Sequence, residues 1–240
     1  MKINMNLKIA VLAITIMATF AVLPESARAD VYWNGSASSD WSNPANWING
    51  LPSVGGAGSA VINPWGSFPT PTVSSLGNTT VGQTYLAAGG GLDVVGGGQL
   101  STVDLITGVW GNSGSLNISG GTLNISGLLN MGAAGFDGDV IISGGTLTAG
   151  SLSINTAGGA GMDLSGSGSF ITASSQLGNV NYWIANNAIT ANGGLGTVYV
   201  DSISQPGSIV LTVQATPEPS TMALAIAGGA AVLFLRRHRK

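Results

Sequence analysis

The chain has 240 residues, a formal net charge of −3 and no Cys. Residues 30–216 contain no Lys, Arg, His, Glu or Cys, and their only ionisable side chains besides Tyr are eight Asp. Zinc or iron sites built on His or Cys, Schiff bases on Lys and nucleophiles that need a His base are therefore excluded from this segment. A phosphate-binding loop that needs Lys is excluded too, and so acidic a segment would repel nucleic acid. We expect no cofactor and no stabilising disulfide.

Residues 1–29 have the pattern of a secretory signal peptide. Lys2 and Lys8 precede an apolar run over residues 9–23, and Ala27-Arg28-Ala29 provides a small-x-small cleavage site. We therefore expect an exported protein whose mature chain begins at Asp30, with one exported domain over residues 30–216.

An aromatic segment, residues 30–65, opens the exported domain with Trp33, Trp41 and Trp47. It resembles the Trp motif that often precedes β-repeats in exported bacterial proteins. One interpretation is a cap over the open end of a stack of strands, where the core and an unpaired edge would otherwise face water. The alternative is a glycan contact, because an exposed indole can stack on a sugar ring.

Three further tryptophans, Trp65, Trp110 and Trp183, are isolated in the sequence. We predict that they pack in the core or at its rim.

The middle of the chain repeats with offsets of 23 and then 24 residues. The segments 95–100, 118–123 and 142–147 align around Gly-Gly, and residues 164–173 form a fourth copy with one extra residue in the turn. Apolar residues alternate on either side of each Gly turn, which is the period of a β-strand. Each repeat is therefore predicted to be strand, Gly turn, strand.

Units of this size bury their apolar faces only when they stack on one another, as they do in solenoids. We predict an all-β fold, a parallel β-helix (β-solenoid) of about 22–24 residues per turn, with its clearest repeats over residues 89–177. Ile118 should then stack near Ile142, and Leu123 near Leu147. The repeats also resemble the β-strand repeats of autotransporter passengers. Disorder is the alternative for a chain this rich in Gly, Ser and Thr, but the apolar residues that recur in register favour a folded core.

The eight Asp are the only candidates for metal binding or acid–base chemistry. The segment 158–163 matches the start of a calcium-binding nonapeptide once, but a single copy lacks the facing turn that completes the site, so no metal is expected. Two carboxylates suffice for glycoside hydrolysis, which leaves a carboxylate-only glycoside hydrolase as a remote alternative. The β-helical pectin-degrading enzymes also use His, Arg or Lys, which this domain lacks, and we expect no enzyme activity.

Two stretches near the end of the domain, residues 197–200 and 208–213, alternate apolar and polar side chains. They are predicted to be strands that close the far end of the coil.

The last segment, residues 217–240, has three parts in a fixed order. It begins with Pro217, Glu218, Pro219, Ser220 and Thr221, continues with an apolar run over residues 222–235, and ends with a basic tail that contains Arg236, Arg237, Arg239 and Lys240. At about 1.5 Å per residue, a helix over the apolar run is roughly 21 Å long, short of a hydrocarbon core about 30 Å thick. Basic residues are retained on the cytoplasmic side of a membrane. The segment therefore indicates a retention and processing signal rather than a permanent anchor.

In these features the segment resembles the PEP-CTERM sorting signal of Gram-negative bacteria. The resemblance implies recognition and cleavage by exosortase, a membrane enzyme linked to extracellular polysaccharide production, with the tail held in the inner membrane before cleavage. The expected function is that of a structural or adhesive protein of the cell surface or the extracellular matrix of a biofilm, with exopolysaccharide as a possible partner. The alternative is a glycan-binding module that uses Trp33, Trp41 and Trp47.

Overall fold

The computed structural model describes residues 30–52, 58–62 and 68–214, without the side chains of residues 76–80. The predicted signal peptide, the sorting segment and Trp65 therefore lie outside the described residues. The described chain is mostly β, with fourteen strands in one mixed sheet that does not close on itself. The strands are β1 (Val31–Trp33), β2 (Trp47–Ile48), β3 (Ala60–Ile62), β4 (Thr72–Val73), β5 (Leu76–Ala87), β6 (Gly91–Val94), β7 (Gln99–Val109), β8 (Gly114–Met131), β9 (Gly138–Ile154), β10 (Met162–Leu164), β11 (Ser169–Ala173), β12 (Ile189–Ala191), β13 (Thr197–Asp201) and β14 (Ser208–Gln214).

Parallel pairing arranges most of these strands in three ladders. The first ladder contains β4, β6, the starts of β8 and β9, β10 and β12. The second contains the starts of β5 and β7, the middle of β8 and β9, and β11. The third contains β1, β3 and the ends of β5, β7, β8 and β9. The long strands β8 and β9 take part in all three ladders, and register shifts mark the places where they pass from one to the next.

The register predicted from the repeats is confirmed. Ile118 pairs with Ile142 and Leu123 pairs with Leu147, each pair 24 residues apart. The fourth copy also aligns as predicted, because Leu164 pairs with Ile142 and Phe170 pairs with Leu147 despite the extra residue between them.

The alignment of the first copy is wrong by one residue. Val94, not Val95, pairs with Ile118, whereas Leu100 pairs with Leu123 as predicted. Val94 is fully buried and Val95 lies in the turn. This copy therefore has one more turn residue than the next, a difference that the run of three glycines hides in the sequence.

Glycine is required where the second ladder begins in the repeats. Gly121 and Gly145 have φ angles of +74° and +71°, a conformation that L side chains rarely adopt. A Cβ atom on Gly145 would also collide with the carbonyl oxygen of Gly121. The Gly-Gly pairs thus let the backbones of paired strands such as β8 and β9 approach each other closely.

A single hydrophobic core runs between the ladders and takes residues from all three. Ile142 illustrates its construction: it lies between Ile118 and Leu164 in the first ladder and is 0% exposed. Its neighbour Ile141 points outward and is 46% exposed. Burial of each such aliphatic side chain contributes about 1.5–3 kcal/mol, so the inward columns supply the main stabilisation.

The two ends depart from parallel stacking. At the N-terminal end β2 pairs antiparallel with β1, and at the C-terminal end β14 pairs antiparallel with β11 and β13 with β14. The strands predicted over residues 197–200 and 208–213 are confirmed, as β13 and β14.

The expectation of an all-β domain is wrong at one place, where a nine-residue helix, α1 (Leu177–Ala185), lies between β11 and β12. Val180, Trp183 and Ile184 have helical spacing, and the first two are buried against the core. The described chain also has three short 3₁₀ turns, at Pro44–Asn46, Thr156–Gly158 and Ser174–Gln176. Within the described ranges, no helix has the length and apolarity to cross a membrane.

Replacement of Ile142 by Asn should lower the free energy of unfolding by about 3–5 kcal/mol, because it removes a buried aliphatic side chain and buries an unpaired amide. The matched control is Ile141→Asn one residue earlier, which changes an outward side chain and should cost within about 0.5 kcal/mol. Urea unfolding followed by circular dichroism measures both, and equal losses would contradict the inward and outward assignment.

Candidate functional site

The three N-terminal tryptophans form one cluster. Trp33 on β1 pairs in register with Trp47 on β2. The rings of Trp33 and Trp47 meet edge to face with centroids 5.1 Å apart, and those of Trp41 and Trp47 do so at 4.7 Å. The three residues are 1%, 3% and 5% exposed in the order Trp33, Trp41, Trp47. Edge-to-face contacts of this kind stabilise beyond the area they bury.

The indole N–H groups differ in their partners. Trp33 Nε1 donates to the carbonyl oxygen of Pro69 at 2.7 Å, and Trp47 Nε1 donates to that of Trp41 at 2.9 Å. Trp41 Nε1 is buried and has no hydrogen-bond partner among the described residues. A buried donor without a partner destabilises the fold.

A buried amide holds the loop around this cluster. Asn46 is 0% exposed, and its Oδ1 accepts from the backbone N–H groups of Ala37 and Ser38, each at 2.9 Å. Its Nδ2 donates to Ser38 Oγ at 3.0 Å and to the carbonyl oxygen of Asp40 at 2.8 Å. All four hydrogen-bonding positions of the amide are thus used, and these hydrogen bonds fix the conformation of the loop. No motif or repeat in the sequence marks Asn46 as a buried residue.

The burial of the cluster bears on the two interpretations made from the sequence. A sugar ring needs an accessible indole face, and Trp33, Trp41 and Trp47 offer almost none. The cluster instead lies at the N-terminal limit of the sheet, where β2 pairs antiparallel with β1, the first strand of the third ladder, and Asp40 bridges to Thr72 of the first ladder. This geometry supports the cap and gives no support to glycan contact by these three residues.

The isolated tryptophans have different environments. Trp183 is 8% exposed in α1, as predicted for a core residue. Trp110 is 59% exposed, so its assignment to the core or rim is wrong. Its ring stacks on Tyr85 with centroids 5.6 Å apart and an angle of 27° between the planes. This exposed aromatic pair is the feature that sequence reasoning missed, since the two residues are 25 positions apart and come together only through the third ladder.

The carboxylates do not converge on a metal. Within the described residues, no group of three or more His, Cys, Asp or Glu side chains is placed to hold an ion. Asp163 Oδ1 accepts from Thr190 Oγ1 at 2.7 Å and from the backbone N–H of Gly193 at 2.8 Å, which ties β10 to the chain beyond β12. Partial burial, and then the nearby carboxylate of Asp137, raise the pKa of Asp139.

The predicted sorting residues lie outside the described chain, and the comparisons with known proteins bear on them directly. Residues 215–240 match the family model for the PEP-CTERM protein-sorting motif. The motif is a recognition signal for exosortase processing, and it implies a protein that is exported and sorted at the membrane. No curated protein matches the chain, and no solved structure matches it.

Trp47 Nε1 has a hydrogen-bond partner and Trp41 Nε1 has none among the described residues, and this difference leads to a stability prediction. Trp47→Phe should cost about 1–3 kcal/mol more than Trp41→Phe, because the first change removes a buried hydrogen bond and the second removes an unpaired donor. The two variants lose the same ring atoms, so each is the other's control. Their free energies of unfolding in urea measure the difference, and a larger loss for Trp41→Phe would contradict the assigned partners.

Proposed function

We propose that this chain is a structural or adhesive protein of the cell surface or the extracellular matrix, delivered there by its PEP-CTERM motif. The single observation that carries the proposal is the combination of that motif at residues 215–240 with a described chain that is mostly β, with 54% of its residues in strands of one mixed sheet. Proteins of this kind offer a long, regular surface rather than a catalytic cleft.

We further propose that the three ladders are the three sides of a parallel β-helix with one turn per repeat. The register supports this, because the same pairing recurs at steps of 22–25 residues from β6 through β11. The shared core supports it as well, since Ile118, Leu123 and Leu129 belong to three successive parts of one strand and to one hydrophobic cluster. A rod of this type would resist extension along its ladders through its backbone hydrogen bonds.

The proposed role is not enzymatic. Besides Tyr, the exported segment has only Asp for acid–base work. Asp93, Asp104 and Asp163 lie on three different strands, whereas Asp137 lies close enough to Asp139 to raise its pKa after burial. Glycoside hydrolysis needs two carboxylates at a set separation across one bond. The polysaccharide of the matrix would then be a binding partner, and exosortase the processing enzyme.

The experiment compares cells that make the native chain with cells that make a variant in which Pro217, Glu218 and Pro219 are replaced by Ala. The native surface protein should lack residues 222–240 by intact mass, whereas the variant should keep Lys240 and stay in the membrane fraction. Cells with the variant should also lose cohesion of their aggregates under shear, because the rod does not reach the matrix.

A second variant, Ser202→Ala in an exposed loop, controls for changes in expression. Processing of the Ala-substituted motif at the native rate would contradict sorting through this motif. Normal cohesion without surface protein would contradict the structural role, and shortening of matrix polysaccharide by the purified protein would contradict a non-enzymatic one.

A further inference from the structure

We propose that the exposed pair Trp110 and Tyr85 is a stacking site for a neutral polysaccharide of equatorially substituted pyranoses. The inference rests on the proposed matrix function and names the surface and the ligand class through which the rod would contact its surroundings. Its site is distinct from the buried cluster of Trp33, Trp41 and Trp47.

The pair lies on the outward side of the third ladder. Tyr85 on β5 is in register with Ile106 on β7, and both are partly exposed while their neighbours Leu86 and Leu105 are fully buried. Trp110 follows β7 directly, and its indole stacks on the Tyr85 ring while remaining 59% exposed. The result is a stacked aromatic pair on the outward side of the sheet, in which the Trp110 indole is largely open to solvent.

Hydrogen bonds orient the pair before any ligand arrives. The Tyr85 hydroxyl donates to Gln83 Oε1 at 2.7 Å, and Gln83 Nε2 donates to Asp104 Oδ2 at 3.1 Å. The other carboxylate oxygen of Asp104 accepts from the backbone N–H of Leu128 at 2.8 Å. The Tyr85 ring is therefore fixed through three strands of the ladder, and such preorganisation lowers the entropy lost on binding.

The backbone at Trp110 is the second unusual feature. Trp110 has φ +54°, and the adjoining Gly111 has φ +91°. Bulky residues are outliers in this region, which Gly and Asn occupy readily. The ring is too exposed to repay the strain by burial, and strain held at a surface side chain points to a function.

The aromatic rings and the polar groups beside them favour a neutral sugar as the ligand. The apolar C–H face of a pyranose with equatorial substituents stacks on an aromatic ring, and amide and carboxylate groups such as those of Gln83 and Asp104 hydrogen-bond to its hydroxyls. Burial, and then the carboxylates of Asp30 and Asp104, raise the pKa of Tyr85. These two carboxylates give the surface a negative potential. Because residues 30–216 have eight Asp and no cationic side chain, an anionic polysaccharide would be repelled.

The test is native affinity electrophoresis of the protein recovered from exporting cells, in gels that contain hydroxyethylcellulose or alginate. The neutral glucan should retard the native protein and the anionic alginate should not. Trp110→Gly should weaken retardation by about tenfold, the loss expected when a stacking contact is removed. Trp110→Phe keeps a ring and should retain most of the binding, and Tyr182→Ala, which removes another exposed aromatic side chain, should retain all of it.

The stability of Trp110→Gly separates a binding role from a structural one. Glycine relieves the positive φ, so this variant should unfold at the same or a higher urea concentration than the native protein. Unfolding at a clearly lower concentration would overturn the proposal, as would unchanged retardation of Trp110→Gly or retardation of the native protein by alginate only. Absence of binding to the glucan with normal surface delivery and cohesion would overturn this inference and leave the proposed matrix role standing.

Discussion

In-register stacking of apolar side chains between successive parallel strands is the interaction on which this fold depends. Ile118, Ile142 and Leu164 form one such column in the first ladder, and Leu123, Leu147 and Phe170 form another in the second. The sequence has no Cys, and its exported segment has no basic side chain, so neither disulfides nor ion pairs to Lys or Arg contribute there. The free energy of folding must come from these columns and from the backbone hydrogen bonds that set their spacing.

A stack of strands has two ends and an outer surface, and different structural elements lie at each of them. The N-terminal end carries the buried tryptophan cluster and the antiparallel strand β2, and the C-terminal end carries α1, β13 and β14. These elements cover core and edge that would otherwise invite association. The outer surface carries several exposed apolar side chains, among them Trp110, which is 59% exposed and stacks on Tyr85.

The sequence predicted the repeated part of the fold well because its signal is periodic. Gly-Gly at a constant offset placed Ile118 beside Ile142, and the structure has this pair. The one-residue error at Val94 arose because three consecutive glycines permit two alignments. Helix α1 was missed because its apolar residues follow a period of 3.6 within a chain that otherwise has a period of two. Trp110 was misplaced because exposure depends on the turn that carries it and on Tyr85, which is distant in the sequence.

The most direct test of the stacked arrangement is a set of distances between nitroxide labels placed at three register-paired positions of the first ladder. Thr72, Ile141 and Thr190 lie in one row of register partners along that ladder. Ile141 is three strands away from Thr72, and Thr190 is five strands away from Thr72. The absence of native Cys allows labels at introduced cysteines only. At about 4.8 Å per step, dipolar broadening of the continuous-wave spectrum should give roughly 14 Å from residue 72 to 141, and electron–electron double resonance should give roughly 24 Å from 72 to 190. A distance from 72 to 190 no longer than that from 72 to 141, or a single broad distribution for both, would contradict stacking of one turn per repeat.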